Sequence, residues 1–426
     1  MNLKQLGILL ALVVVLGGAG LVVYRNQNAS WKGGNADIGK KLLDDLPVND
    51  VAQIAITQGT NQLNLVKKDD LWRVQERHDY PASYSQIRDF LLKAQGLKAV
   101  QSEIVGPSQL AALRLAPPGQ GTNSALVVAF KGPSGNLIKT LLLGKPHLKK
   151  SAEPSEFGGE DLGWPDGRYV RSGDSQTVAV VSDPLENIEP KPGAWLDKDF
   201  IRVEKAKSVE VDFPEATNSW KVTRDAESGA WKLADAKPGE QLDAAKTSSL
   251  SYALSSPSFT DVLPGAKLEG SGTNPPTLVK IDTFDHFTYT VGVGRKINEE
   301  YPVTVAVAAE IPKERAAGKD EKPPDKATLD KEFKDDKQKL EDKLKQERNC
   351  ENWTYLVSSW TMDPLLKERS QLLVEKKEEP KKDGKTAENA VGKPEASNQE
   401  GREAQNEASA TPANGGETNS APAEEP

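Results

Sequence analysis

The sequence predicts an α+β protein built from two tandem related units, with mainly antiparallel sheets and packed helices, after one N-terminal transmembrane helix. Three observations predict it. An uncharged apolar run opens the chain. Short alternating strand words separated by polar turns fill the middle. The same order of words then recurs once, about 150–180 residues later.

Leu6 to Tyr24 is 19 residues without a charge. At ~1.5 Å per residue it reaches roughly 28 Å as a helix, close to the thickness of a bilayer's hydrocarbon core. The apolar region of a cleaved signal is shorter and ends in a small-x-small site, so residues 1–25 read as an uncleaved anchor held by membrane lipid. Orientation has two indicators. Arg25, Lys32, Lys40 and Lys41 follow the run and only Lys4 precedes it, which favours a cytoplasmic domain by the positive-inside rule. A short N-terminus followed at once by an apolar run is a signal-anchor pattern, and one Cys in 426 residues suits an oxidising compartment. The expectation is export: a single-pass membrane protein with its soluble part extracytoplasmic.

Residues 26–45 are polar and read as a linker. The first unit, 46–203, opens with strand words at Val51–Ile56, Leu63–Val66 and Trp72–Val74. Ser83 is a predicted N-cap for a helix with Ile87, Phe90, Leu91 and Ala94 on one face, ended by Gly96. A shorter helix is expected at Ser108–Leu113. Ala125–Phe130 and Leu137–Leu143 flank Gly132-Pro133-Ser134-Gly135-Asn136, a hairpin signature. Tyr169–Arg171 and Thr177–Val181 form another pair, and Asp183-Pro184-Leu185 follows.

The second unit, 204–374, repeats the order. Val209–Phe213 answers the first strand, and Trp220–Val222 and Trp231–Leu233 answer the next two. Leu242–Leu254 answers the helix, Leu278–Ile281 and Phe287–Val293 the hairpin, and Asp363-Pro364-Leu365 the closing word. A charged insertion at 309–350, with twelve acids and twelve bases, lengthens this copy. Within it Pro323-Pro324-Asp325 starts a predicted helix that places Leu329, Phe333, Leu340 and Leu344 on one face. That stripe is either one side of a solvated arm or a contact for a protein partner. The tail, 375–426, has twelve acids, seven bases and, after Glu375, Val391 as its sole Val, Leu or Ile. Too little apolar surface is available there to offset chain entropy, so disorder is the expectation.

Composition excludes several functions. A net charge of −8 argues against nucleic acid as a partner, because phosphate neutralisation needs basic surface. One Cys forbids an internal disulfide. His78, His147 and His286 stand apart with no metal-ligand spacing, and Cys350 has no partner motif. There is no phosphate loop and no Gly-x-Ser-x-Gly elbow. Gly292-Val293-Gly294 has neither the third glycine nor the helix start of a dinucleotide motif. No catalytic, cofactor-binding or metal residue is therefore assigned, and no enzyme activity or cofactor is expected. Trp72, Trp195, Trp231 and Trp353 read as core pins rather than a sugar platform, which would need several rings exposed on one face.

Trp72-Arg73-Val74, Tyr80-Pro81-Ala82 opening a helix, Leu143-Gly144-Lys145, Tyr169-Val170 and Val180-Val181-Ser182, in that order, resemble the bacterial domain-of-unknown-function 4340 family. That family occurs in envelope proteins and in auxiliary subunits of gliding-motility-type ABC transporters. The resemblance extends over about residues 50–200 and more loosely over 205–373. It implies an anchored, exported α+β protein without known catalysis, and it implies no site residues. The expected function is a non-enzymatic scaffold or ABC transporter accessory that works through contacts with an envelope or transporter protein. The alternative is an extracytoplasmic binding protein for a solute or glycan.

Overall fold

The computed structural model describes residues 38–117, 124–149, 164–173, 175–264, 275–316 and 322–375. The expected anchor at 1–25, most of the linker and nearly all of the tail lie outside the described residues. No helix among the described residues is long and apolar enough to cross a membrane.

Two antiparallel sheets carry the fold. The first contains β1 (Gln53–Gln58), β2 (Asn61–Lys68), β3 (Leu71–Val74), β4 (Tyr80–Pro81), β5 (Gln101–Ile104), β6 (Leu126–Lys131), β7 (Leu137–Lys149), β8 (Trp164–Ser172) and β9 (Thr177–Val181). Between β4 and β6 run helices α1 (Tyr84–Gly96) and α2 (Pro107–Ala112). The second sheet contains β10 (Ala206–Asp212), β11 (Trp220–Thr223), β12 (Lys232–Leu233), β13 (Phe259–Pro264), β14 (Thr277–Thr283), β15 (Phe287–Val293), β16 (Glu300–Ala309) and β17 (Trp353–Ser358). Its helices are α3 (Ala244–Thr247), α4 (Pro323–Arg348), α5 (Ser359–Met362) and α6 (Arg369–Leu372).

The two sheets share one strand order. The first runs β4-β3-β2-β1-β6-β7-β8-β9-β5 and the second β12-β11-β10-β14-β15-β16-β17-β13. In each, strands meander outward, β1 to β4 in the first sheet and β10 to β12 in the second, and a helical segment crosses over. The next strand then starts the far edge, and four more strands fill the middle. Registers agree as well. Ile54 faces Leu65, which faces Val74, and Val209 faces Val222, which faces Leu233. Trp72 and Trp231 thus hold equivalent places, two residues before Val74 and Leu233.

Period-two alternation sends one side of each strand inward. Leu126, Val128 and Phe130 are buried on β6, as are Phe287, Tyr289 and Val291 on β15. Most buried side chains of both sheets form one connected core. A small second core of Leu115, Ala125, Leu142 and Val178 lies on the other face of the first sheet, against Leu110 and Leu113. Gly144 allows this close approach, because a Cβ there would sit 2.5 Å from the Leu113 carbonyl oxygen.

Helix α1 follows its sequence signals. Ser83 Oγ accepts from the Gln86 N–H at 3.4 Å, and Ile87, Phe90, Leu91 and Ala94 are the buried side chains. The second crossover departs from expectation. Instead of one helix over Leu242–Leu254, the chain makes the four-residue α3 and then a 3-10 turn over Ser248–Tyr252. Asp243 caps α3, but Ser248, Ser249 and Ser251 follow, and serine hydroxyls compete for the backbone partners a helix needs. Strands β5, β13 and β16 were not expected either. Two of them, β5 and β13, form the far edges of their sheets, where few alternating apolar residues are required.

A seam of rings and one ion pair joins the sheets. Tyr80 meets Trp353 edge-on with centroids 4.9 Å apart, and Phe200 lies 4.4 Å from Tyr355. Phe259 sits 4.9 Å from Tyr355 and 6.1 Å from Tyr80. Arg77 grips Asp261 with two parallel bonds of 2.6 and 2.5 Å, the bidentate geometry that suits guanidinium and carboxylate.

Candidate functional site

The charged helix α4 has two different halves. Toward its C-terminus Leu340 and Leu344 pack against the main core. Glu347 is buried there, accepting from the Arg202 backbone N–H and from the Tyr289 hydroxyl, both at 2.8 Å. Burial pushes its carboxyl above the ordinary range, with Glu204 adding to the rise and Lys343 opposing it. Lys343 pairs with Glu204 at 2.8 Å and lies over the Phe287 ring. Toward the N-terminus the stripe leaves the core. Leu329 is exposed and Phe333 is half-buried, and neither belongs to the packed cluster. The helix is steadied there by Asp330 meeting Arg315 at 2.9 Å, and farther along by Lys339 meeting Asp336 at 2.8 Å. The four stripe residues therefore divide: Leu340 and Leu344 hold the helix to the body, Leu329 is presented outward, and the half-buried Phe333 lies outside the packed cluster.

A second feature was not legible in the sequence. Trp360 and Tyr252, the two most exposed large apolar side chains among the described residues at 88% and 77%, line one open groove of about 630 Å³. Trp360 is on α5, whose opposite side buries Met362. That turn is fixed by the Ser359 N–H donating to the Glu299 carbonyl at 2.8 Å and by Tyr301 donating to Asp363 at 2.8 Å. Tyr252 ends the 3-10 turn, whose Leu250 is fully buried. Leu254 beyond it has φ of 56°, a left-handed conformation that leucine rarely takes, and its carbonyl accepts from the Val203 N–H at 2.9 Å. Both rings thus stand on pinned turns. Their one sequence signal is an aromatic embedded in serines, in Ser251-Tyr252 and in Ser358-Ser359-Trp360.

The other residues singled out in the sequence are structural in placement. Trp195 is fully buried and Trp72 nearly so, while Trp231 and Trp353 pack against the core half-buried. Trp231 donates to Ser251 and lies under the Arg224 guanidinium. Cys350 is buried, and burial pushes its thiol up to about 11, where thiolate at neutral pH is scarce. His147 pairs with Asp166 at 2.6 Å, whereas His78 and His286 occupy left-handed turn positions. Among the described residues no group of three or more His, Cys, Asp or Glu side chains could hold a metal ion.

Comparison with known families identifies one match. The model for a domain of unknown function, DUF4340, matches residues 72–276, from β3 to just before β14. No curated protein and no solved structure matches the chain.

Proposed function

We propose that this chain, a member of the DUF4340 family through residues 72–276, is a membrane-anchored, extracytoplasmic, non-enzymatic accessory that works by protein contacts. The observation that carries the reading is the division of α4. Its C-terminal half is built into the core, and the other half carries the exposed Leu329 and the half-buried Phe333 on a charge-rich helix outside that core. Such a rod presents a narrow apolar stripe in the manner of helix recognition by a partner groove. The uncharged run Leu6–Tyr24 supports attachment to a bacterial inner membrane, and an envelope or ABC transporter protein is the proposed partner. The shared strand order supports descent of the body from two tandem related copies, with α4 inserted in the second.

The experiment is photo-crosslinking in intact membranes from a probe in place of the exposed Glu332, beside Phe333, read by mass spectrometry. A defined protein adduct is expected. Phe333→Ser should abolish it while the melting temperature stays unchanged. An adduct that survives Phe333→Ser, or no adduct at all, overturns the contact role. Extraction of the full chain by alkaline carbonate would overturn the anchor separately.

A further inference from the structure

We propose that the groove between Tyr252 and Trp360 is a binding site for a neutral oligosaccharide. The proposal does not rest on the contact role of α4.

Two nearly fully exposed rings on separate, pinned turns line the same groove. Isolated exposed apolar side chains are ordinary, but the two most exposed large ones sharing one groove is a convergence. Its volume of about 630 Å³ lies within the usual ligand-site range of ~300–1,000 Å³. Ala253, Leu254, Pro257, Pro364 and Leu365 give it an apolar floor.

The polar part of the lining identifies the ligand's chemistry. Hydroxyls dominate it: Ser249, Ser255, Ser256, Ser258 and Thr361. Among the described residues Asp363 and Lys367 are the only charged ones that line it, although 28% of the chain is charged. One carboxylate oxygen of Asp363 already accepts from Tyr301. A lining of paired rings, hydroxyls and balanced charge does not favour an anion or a cation. It fits a ligand with apolar C–H faces and many hydroxyls. The C–H bonds of a sugar ring carry slight positive charge and lie well on the electron-rich face of an aromatic ring. The Trp360 indole N–H can donate to the sugar hydroxyls, and the Tyr252 and serine hydroxyls can both donate to them and accept from them.

Tyr252 and Ser255 also border a second opening of about 520 Å³, lined by Glu204, Arg224, Glu227 and Ser251 among others. The tyrosine therefore stands between two hollows, so a chain of several sugars fits the surface better than a single one.

The test is calorimetric titration of the full chain in detergent with maltohexaose, cellohexaose and chitohexaose. Binding of at least one is expected at sugar concentrations up to about 10 mM, a range that detects even millimolar affinity. Trp360→Ala and Tyr252→Ala should each weaken it roughly two- to tenfold, the loss of one stacking contact. Tyr84→Ala, an exposed ring on α1 away from the groove, should leave it unchanged. If Trp360→Ala lowers the melting temperature, Trp360→Tyr decides: restored binding supports the site, and continued loss overturns it. Absence of binding by all three sugars overturns the proposal. So does binding that neither alanine variant weakens, or a protein crosslink that both variants abolish in its place.

Discussion

The same strand order has been finished differently at the two crossovers. In the first sheet α1 is a regular 13-residue helix, and Trp195 covers it with its ring 6.0 Å from Phe90. The covering turn is locked: the Trp195 indole N–H donates to the Glu189 carbonyl at 3.0 Å, and the Ser83 N–H donates to the Trp195 carbonyl at 2.9 Å. In the second sheet the crossover is a short α-turn and a 3-10 turn, and the aromatics beside it, Tyr252 and Trp360, point to solvent. The difference teaches where this architecture can afford a site. A complete amphipathic helix fills the space over its sheet, whereas a loosened one leaves a groove and frees ring surface.

The sharpest way to test the comparison is to remove the buried cover. Trp195→Ala should destabilise the protein by about 3–5 kcal/mol, the usual range for deleting a fully buried large aromatic. Trp360→Ala, at 88% exposed, should change stability by less than ~0.5 kcal/mol. Urea unfolding monitored by circular dichroism measures both. Similar losses in the two variants would break the distinction between a filled and an open crossover.

The next effect concerns how α4 is held to the second sheet. Glu347 is buried with its carboxyl raised above the ordinary value of 4.5. A raised carboxyl binds its proton more tightly in the folded state than in the unfolded one. Its contribution is full below pH 4.5 and is lost as pH rises through the raised value. Glu240 has the opposite sign. Arg369 holds its carboxyl down to about 2, so its contribution is present above the ordinary range and lost as pH falls toward 2. Glu347→Gln should remove the first slope and keep the second. The amide oxygen can still accept from Arg202, and the Tyr289 hydroxyl can donate to the Arg202 carbonyl, 3.2 Å away. Glu347→Ala instead leaves the Arg202 N–H without an acceptor and should cost about 1–3 kcal/mol. Melting temperatures of the three proteins from pH 2 to 8 would show it. An unchanged slope in the glutamine variant would mean that Glu347 keeps its charge in the folded state.

The first crossover could be read from the sequence because it is locally consistent. Ser83, the spacing of Ile87, Phe90, Leu91 and Ala94, and Gly96 all indicate one helix, and the structure forms it. The second could not, because Leu250 and Leu254 keep helical spacing while the serines around them weaken the helix. Hairpin strands such as β6 and β7 were visible through their turn and alternation. The same alternation is present in β16, where Val303, Val305 and Val307 are buried, although that strand was not among those expected. The stripe on α4 was legible as a face, but its division was not. Which residues of a helical face meet the core depends on where the helix lands, and that is set by Arg202 and Tyr289, far away in sequence. The groove was hidden for the same reason, because Tyr252 and Trp360 are 108 residues apart and meet only through the fold.

The smallest expected effect tests why the second crossover loosened. If serine chemistry is the cause, Ser248→Ala with Ser249→Ala should restore helical preference. Each replacement favours a helix by about 0.5 kcal/mol on intrinsic scales. Ser249 is exposed and lines the groove, whereas Ser248 donates its hydroxyl to the Ala245 carbonyl at 2.9 Å, a bond the change removes. The net gain should therefore stay below ~1 kcal/mol, seen as a slightly higher urea midpoint with an unchanged slope. Helix growth through these positions should also show as added far-ultraviolet helical signal. A drop in stability would mean that the 3-10 turn is imposed by its surroundings, through the buried Leu250, the left-handed Leu254 and its bond to Val203, rather than by the serines. The open crossover would then be a property of the packing around it, and no local substitution would close it.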